Sequence, residues 1–556
     1  MTTKQEQQIV RPTKTNRHSA AHGLLFVFCL LLSCVVLASI PDDHPRRPTN
    51  DSRIHLIHSD VMYKNWNDPG AEVLVGNVKL NHEGVFLDCD SARFYREENR
   101  FDAYGRVVMI QGDTVKLTCD TLYYDGRDYM ARAYGRVKLY HRDTRLETDN
   151  LNYDRLQGVG YYPQGGVLYD GDNVLVSDCG QYTMGTHEAF FTYNVQLNNP
   201  KFVLVSDTLY YYTDTEFARI VSPTNITSSD STFVYAERGD YDTKKGKANL
   251  LNRSYIIKDM RKIVGDSLYS DKESGVDEAF GNVIITDEEN LCILQGNYCK
   301  YYEQTGNAMA TDSAMVIDYS TADSIFVHGD TLKMFTYNFN TDSVYRNLHA
   351  YNRVRMFRRD VQGVCDSLVI IQPDSCTYMY GQPILWNMNQ QVFGEEIRVY
   401  NNDSTIDWVH VINQAMTIEQ LDSVRYNQVS AKEMFSYFKD GEIDWNEAHG
   451  NVYVIYYVDE DDGNPIGLNY VETTDMKMWM ENRKIQKIWM PTAKCNMYPP
   501  LKIPADRLHL ENFAWFDYIR PLDKDDIFVW RGKESKYILK KTEQKTAPIQ
   551  NLNALK

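Results

Sequence analysis

The sequence predicts an all-β protein, and more narrowly an elongated β-jellyroll built from repeated antiparallel hairpins. Three observations lead there. Tyrosine is the compositional outlier, with 40 copies against 21 Phe and 8 Trp, and Tyr with Val, Ile and Thr favours strands. Two short marks recur about every 29–30 residues. Between the marks, apolar and polar residues alternate with the period of two that a half-buried strand imposes.

The first element is a leader. Residues 23–40, GLLFVFCLLLSCVVLASI, carry no charge and follow a basic stretch, the pattern of an exported chain. Three fates fit it: cleavage after Ala38, retention as a membrane anchor, and lipidation at Cys34 within Leu31-Leu32-Ser33-Cys34. Residues 1–40 are therefore read as signal peptide or anchor, and 41–55 as a linker. No second uncharged run of that length follows, which excludes a multi-span membrane domain.

Charge narrows the function. Without the first 40 residues the chain has 55 basic and 75 acidic side chains, a net of −20. Such a body gains nothing from releasing counterions on a phosphate backbone, so nucleic acid is not an expected partner. Anionic membrane surfaces repel it unless the N-terminal segment holds it there. Eight cysteines lie beyond the leader and none forms a C-x-x-C pair, so zinc and thioredoxin-type chemistry lack support. Cys89 and Cys119, 30 residues apart and each before an Asp, read either as a disulfide or as two buried thiols.

The repeat organises the rest. Gly76-Asn77-Val78, Gly105-Arg106-Val107, Gly135-Arg136-Val137 and Gly165-Gly166-Val167 are spaced 29, 30 and 30 residues apart. The second mark runs between them: Asp90-Ser91, Asp120-Thr121, Asp149-Asn150, Asp178-Cys179 and Asp207-Thr208. Both marks return downstream, at Asp266-Ser267-Leu268, Gly281-Asn282-Val283, Asp330-Thr331-Leu332, Asp366-Ser367-Leu368 and Gly450-Asn451-Val452.

Within one unit, residues 103–110 read as a strand that turns at Gly112-Asp113, and 115–124 as its partner. Val115, Leu117 and Cys119 fall on one face, with Lys116, Thr118 and Asp120 on the other. The Gly and Asp marks therefore lie in mid-strand. Glycine there calls for a bulge, a bend or a close backbone approach, and Asp there suits a bend. Strands that all bend at one level fold a meander along a crease into a two-walled trough with apolar residues facing inward. A parallel β-helix competes, but its rungs are shorter and less hairpin-like.

A G-N-V strand followed by a C-D strand ending in L-x-Y-D, as in Thr118-Cys119-Asp120-Thr121-Leu122-Tyr123-Tyr124-Asp125, resembles the OstA/LptA-like family of lipopolysaccharide-transport bridges. The best-matching stretch is 73–215, and looser copies reach about Asp475. Residues 56–215 are read as the OstA-like β-jellyroll, 216–530 as further repeats, and 531–556 as a Lys-rich polar tail. The resemblance implies a V-shaped jellyroll whose interior holds the acyl chains of lipopolysaccharide or a related glycolipid. It also implies head-to-tail pairing with other transport proteins through open edge strands, and a periplasmic location. Expected lining residues are Val78, Leu80, Val107, Met109, Leu117, Val137 and Leu139. The bland alternative is that these pack on each other as a closed core in a scaffold or adhesin-like repeat protein. The chain is far longer than one bridge module, and its polar end does not suggest a C-terminal barrel.

No cofactor, metal or catalytic group is expected. Gly265-Asp266-Ser267-Leu268 matches a hydrolase signature, yet Ser and Thr exchange at that position along the repeat, which marks it as architectural. His55 and His58 lack further ligands. The acidic run Asp459-Glu460-Asp461-Asp462-Gly463 reads as a solvated hairpin loop.

Overall fold

A computed structural model describes residues 52–321, 323–402, 405–460, 464–481, 484–533 and 547–550. The leader, the tether question and most of the Lys-rich tail lie outside these residues, as do Asp461–Gly463 of the acidic run. Among the described residues no helix is long and apolar enough to cross a membrane.

The chain is a succession of antiparallel strands in sequence order. The six long strands Asp68–His82, Val85–Tyr95, Arg100–Gln111, Val115–Asp125, Met130–His141 and Thr144–Asp154 each pair with the next. Every pairing slips in the middle, between Val75 and Val78, Asp88 and Ser91, Tyr104 and Val107, Thr118 and Thr121, and Tyr134 and Val137. These slips line up as a crease. The halves on one side form wall 1, which includes Val78–His82 and Val107–Gln111. The halves on the other side form wall 2, which includes Ser91–Tyr95 and Thr121–Asp125. Further on the crease interrupts the strands outright, as between Val159–Tyr162 and Gly166–Asp170. Pairing nevertheless continues unbroken through 217–258 and on to Lys494–Tyr498. This is the expected elongated jellyroll.

The two sequence marks are two sides of one corner. Gly105 (φ +74°) and Arg106 (φ +43°) are successive left-handed residues, and Gly135-Arg136, Gly76-Asn77, Gly281-Asn282 and Gly450-Asn451 repeat the pair. Two such residues turn the strand, as a bulge does. The Asp of the preceding strand occupies the space over the glycine: a Cβ on Gly105 would lie 2.6 Å from Asp90 Oδ2, and one on Gly135 2.7 Å from Asp120 Oδ2. The residue after the glycine then donates back to that carboxylate. Arg106 reaches Asp90 at 2.6 Å and Arg136 reaches Asp120 at 2.7 Å, Asn77 and Asn282 reach Asp60 and Asp266 at 2.9 and 2.8 Å, and Asn194, which follows Tyr193 in place of a glycine, reaches Asp178 at 2.7 Å. The bonded guanidinium holds the Asp90 and Asp120 carboxyls below their ordinary value. Asp266 of the hydrolase-like motif is thus a corner residue, bonded to Asn282 and Arg253.

After the corner the inward parity resumes, and one apolar core runs between the walls from Ile54 to Met476. Cys89 and Cys119 belong to it as free thiols whose pKa burial pushes up to about 12. Among the described residues the strands end at Tyr498, short of the residue 530 expected for the last repeat. Residues 499–533 instead form a strap with four single-turn 3-10 segments, laid over the outer face of wall 1. Leu510, Ala514, Phe516 and Ile519 cover a second apolar cluster with Trp386, Phe393 and Ile455. Two buried glutamine amides of wall 1 pair with the strap backbone: Gln391 with Ala514 O and Phe516 N (2.8 and 2.7 Å), Gln428 with Leu508 O and Leu510 N (both 2.9 Å). Beyond the strap, Tyr351 and Lys333 of wall 2 donate to the Pro548 and Gln550 carbonyls.

Candidate functional site

The interior is the candidate site. Val78, Leu80, Val107, Met109, Leu117, Val137 and Leu139 all point into it and are no more than 2% exposed. They come from four strands, Asp68–His82, Arg100–Gln111, Val115–Asp125 and Met130–His141, all on wall 1, and face wall 2 across the interior. Their position follows from alternation alone, since each sits an even number of residues from its neighbour on the same half-strand. The walls are packed shut around them. The space bounded by Leu80, His82, Leu87, Phe101, Met109 and Tyr124 encloses about 10 Å³, room for about one water.

What shuts the interior is a seam along the mouth, where the free rims of the two walls meet opposite the crease. The hairpin ends of wall 1 present His82, Gln111, His141 and Asp170. The hairpin ends of wall 2 present Tyr124, Tyr153, Tyr182 and Tyr211. They join rim to rim: His82 Nδ1 to Tyr124 OH at 2.7 Å, Tyr153 OH to Gln111 Oε1 at 2.9 Å, His141 Nδ1 to Tyr182 OH at 2.8 Å, and Tyr211 OH to Asp170 Oδ2 at 2.7 Å. Arg155 Nη1 adds a bond to Tyr124 OH at 3.1 Å. Burial pushes the Tyr124 and Tyr153 phenols up to about 12, so both stay protonated. Burial also lowers the pKa of His82 and His141, helped by Arg155 and His187 respectively, and raises that of Asp170.

Further along, the seam changes chemistry. Phe202 meets Tyr241 edge-on at 5.0 Å. Then ions take over: Lys272 with Asp230 at 3.2 Å, Lys258 with Glu303 at 3.2 Å, and Arg346 with Asp287 at 3.3 Å. Arg261 adds a bond to Tyr301. Burial raises Asp277, beside this group, to about 6. The Lys272, Asp230 and Lys258 side chains keep 30–43% of their surface exposed, and pairs of that kind contribute about 0–1 kcal/mol, no more than the about 0.5–1.5 kcal/mol of a neutral hydroxyl contact.

Residues 51–207 match the family model described as OstA-like protein. The chain carries an OstA-like domain. That stretch contains the corners at 76, 105 and 135, all seven expected lining residues and the first three tyrosine contacts. No curated protein matches the chain.

The rim tyrosines of the OstA-like domain were not singled out by the motif reading, although a signal exists. Tyr124, Tyr153, Tyr182 and Tyr211 are spaced 29 residues apart, and His82, Gln111, His141 and Asp170 by 29, 30 and 29. His55 and His58 lie on the first edge strand, where His58 Nε2 meets Asp60 at 3.2 Å.

Proposed function

We propose that the OstA-like interior holds the acyl part of lipopolysaccharide or a related envelope glycolipid, leaving the sugars outside, and that the protein helps carry it to the outer membrane. The observation that carries this reading is the family match over a segment whose inward face is apolar at every expected lining position. Acyl chains would take the place of wall-to-wall contacts and gain about 0.8 kcal/mol per buried methylene. The negative body favours a headgroup kept out of the trough. Export through residues 23–40 would put the protein in the periplasm, free or tethered.

Edge strands supply the partner surface. Among the described residues, His55–His58 and Val61–Asn65 pair on one side only, as do Lys484–Trp489 and Lys494–Tyr498 at the other end. Ile57, Val61, Met62 and Tyr63 are each more than half exposed there. Such edges accept a further strand, in this reading from another transport protein.

The second reading, a closed scaffold, is favoured by the packed interior. Photo-crosslinking in cells separates the two. A photoreactive residue at Val107 or Val137 should give lipopolysaccharide adducts, while one at exposed Lys116 should not. A folded, exported protein without adducts at either inward site would support the scaffold.

A further inference from the structure

The strap ends over a hollow on the outside of the jellyroll. Phe528 and Trp530, 39% and 40% exposed, stand over the outer face of wall 1. There His328 and Arg355 lie opposite each other in the neighbouring strands Ile325–His328 and Tyr345–Phe357. Asp312, Ser313, Asp330 and Arg353 close the hollow from the crease, and the space enclosed is about 390 Å³. Small-molecule sites occupy roughly 300–1,000 Å³.

The hollow exists because the crease changes here. At 312–313 and 352–353 the two successive left-handed residues are Asp-Ser and Asn-Arg, so side chains stand where the earlier corners have a glycine. Arg353 Nη2 meets Asp330 at 2.8 Å, much as Arg106 meets Asp90.

Its lining is unusual for a simple junction between strap and sheet. Arg355 is only 4% exposed; its Nε donates to the Ile527 carbonyl, its guanidinium carbon lies 5.3 Å from the Trp530 ring centre, and its Nη1 has no partner. A buried guanidinium with an unbonded N–H is costly to keep, and it lacks an acceptor. His328 Nδ1 meets the Ala314 carbonyl at 2.6 Å, so Nδ1 carries the proton and Nε2 is left as an acceptor. Burial, then Arg355, lowers the His328 pKa to about 4, which keeps that ring neutral.

Two cations, two carboxylates, a neutral imidazole, a hydroxyl and two aromatic rings thus surround one space without net charge. A small anion would meet Asp312 and Asp330. An acyl chain would strip water from four charged groups. A sugar ring fits better on both counts: each hydroxyl donates and accepts, and the C–H face packs on an aromatic ring.

We infer that the hollow between the strap end and the crease binds a neutral sugar ring, which rests on Trp530 and shares its hydroxyls among Arg355, His328, Asp330 and Asp312. This site lies outside the apolar interior and needs no lipid there.

The test uses the full chain in lauryldimethylamine oxide, a detergent without a sugar head. The probes are the methyl glycosides of glucose, galactose, mannose and N-acetylglucosamine at millimolar concentration, read by saturation-transfer difference NMR. At least one glycoside should receive transfer at its ring C–H protons. Trp530→Ala should cut that transfer by about fivefold or more, as loss of an aromatic contact implies. Asp312→Ala, at the exposed rim, should also lower it, and it carries the test if Trp530→Ala does not fold. Trp489→Ala, which removes another exposed tryptophan (47%) on the strand Lys484–Trp489, should leave it unchanged. No transfer to any glycoside, or transfer that survives both Trp530→Ala and Asp312→Ala in folded protein, would overturn the assignment. Broadening of the inorganic phosphate resonance with no transfer to any glycoside would make the hollow an anion site and overturn it equally.

Discussion

Gly105 and Asp90 share one small volume at the crease, and each explains the other. The left-handed φ alone costs an alanine there about 1–2 kcal/mol, and the new Cβ would collide with the Asp90 carboxylate. Gly105→Ala should therefore destabilise by roughly 3 kcal/mol in urea unfolding. Gly112→Ala, in an open hairpin turn at φ +62°, should cost only about 1 kcal/mol. Equal costs would detach the glycine mark from the corner. The corner was legible in sequence because it needs two residue types, one without a Cβ and one with a short acceptor, at a constant offset. The rim tyrosines were not, because they sit among 40 tyrosines and their partners lie 41 or 42 residues away across a mouth whose stagger only the folded chain reveals. The rim histidines also predict a pH dependence. Burial first, then Arg155 or His187, holds His82 and His141 below the ordinary 6.5. The unfolded chain binds these protons more readily, so their contribution to stability is present above 6.5 and is lost as pH falls through the lower folded values. His82→Gln/His141→Gln should shrink the difference in urea midpoint between pH 7.5 and 5.5. An unchanged difference would place the acid sensitivity elsewhere.

Among the elements, the strands and the strap were unequally readable. Alternation in 115–124 predicted the inward face correctly because period two survives up to the corner and resumes beyond it. Val107→Asp should confirm how closed that face is: an unpaired carboxylate in the core should cost more than about 4 kcal/mol or prevent folding. A milder Val107→Thr, which buries a hydroxyl without a partner, should cost about 1–3 kcal/mol in urea unfolding. The strap escaped the sequence reading because residues 499–533 have neither strand nor helix period and are held by side-chain amides. Gln391 acts there as an extra peptide group, offering one donor and one acceptor to Ala514 and Phe516. Gln391→Leu removes both and leaves a buried carbonyl and amide without partners, which should cost about 2–4 kcal/mol. Limited proteolysis should then cut within 499–533 well before the jellyroll strands. Cleavage elsewhere first would mean that the strap is held chiefly by its apolar residues.

At the scale of the whole molecule, one hairpin motif has been extended into a long two-walled body whose rims are joined first by tyrosine contacts and then by ion pairs, and whose last part carries a strap on the outer face of wall 1. The OstA-like match covers the first three of the tyrosine contacts. A continuous interior with open edge strands at both ends suits a carrier that hands a lipid along, provided that the walls can part. That proviso is the central claim, and distance across the mouth tests it most directly. Spin labels at Asp113→Cys and Gln157→Cys should report one distance in the free protein by pulsed electron paramagnetic resonance, and a second, longer one once lipid A is added. Labels at Asp113→Cys and Asp143→Cys on the same rim should not change. A single unchanged distance across the mouth, with lipid A crosslinked to Val107 in the same sample, would contradict the account.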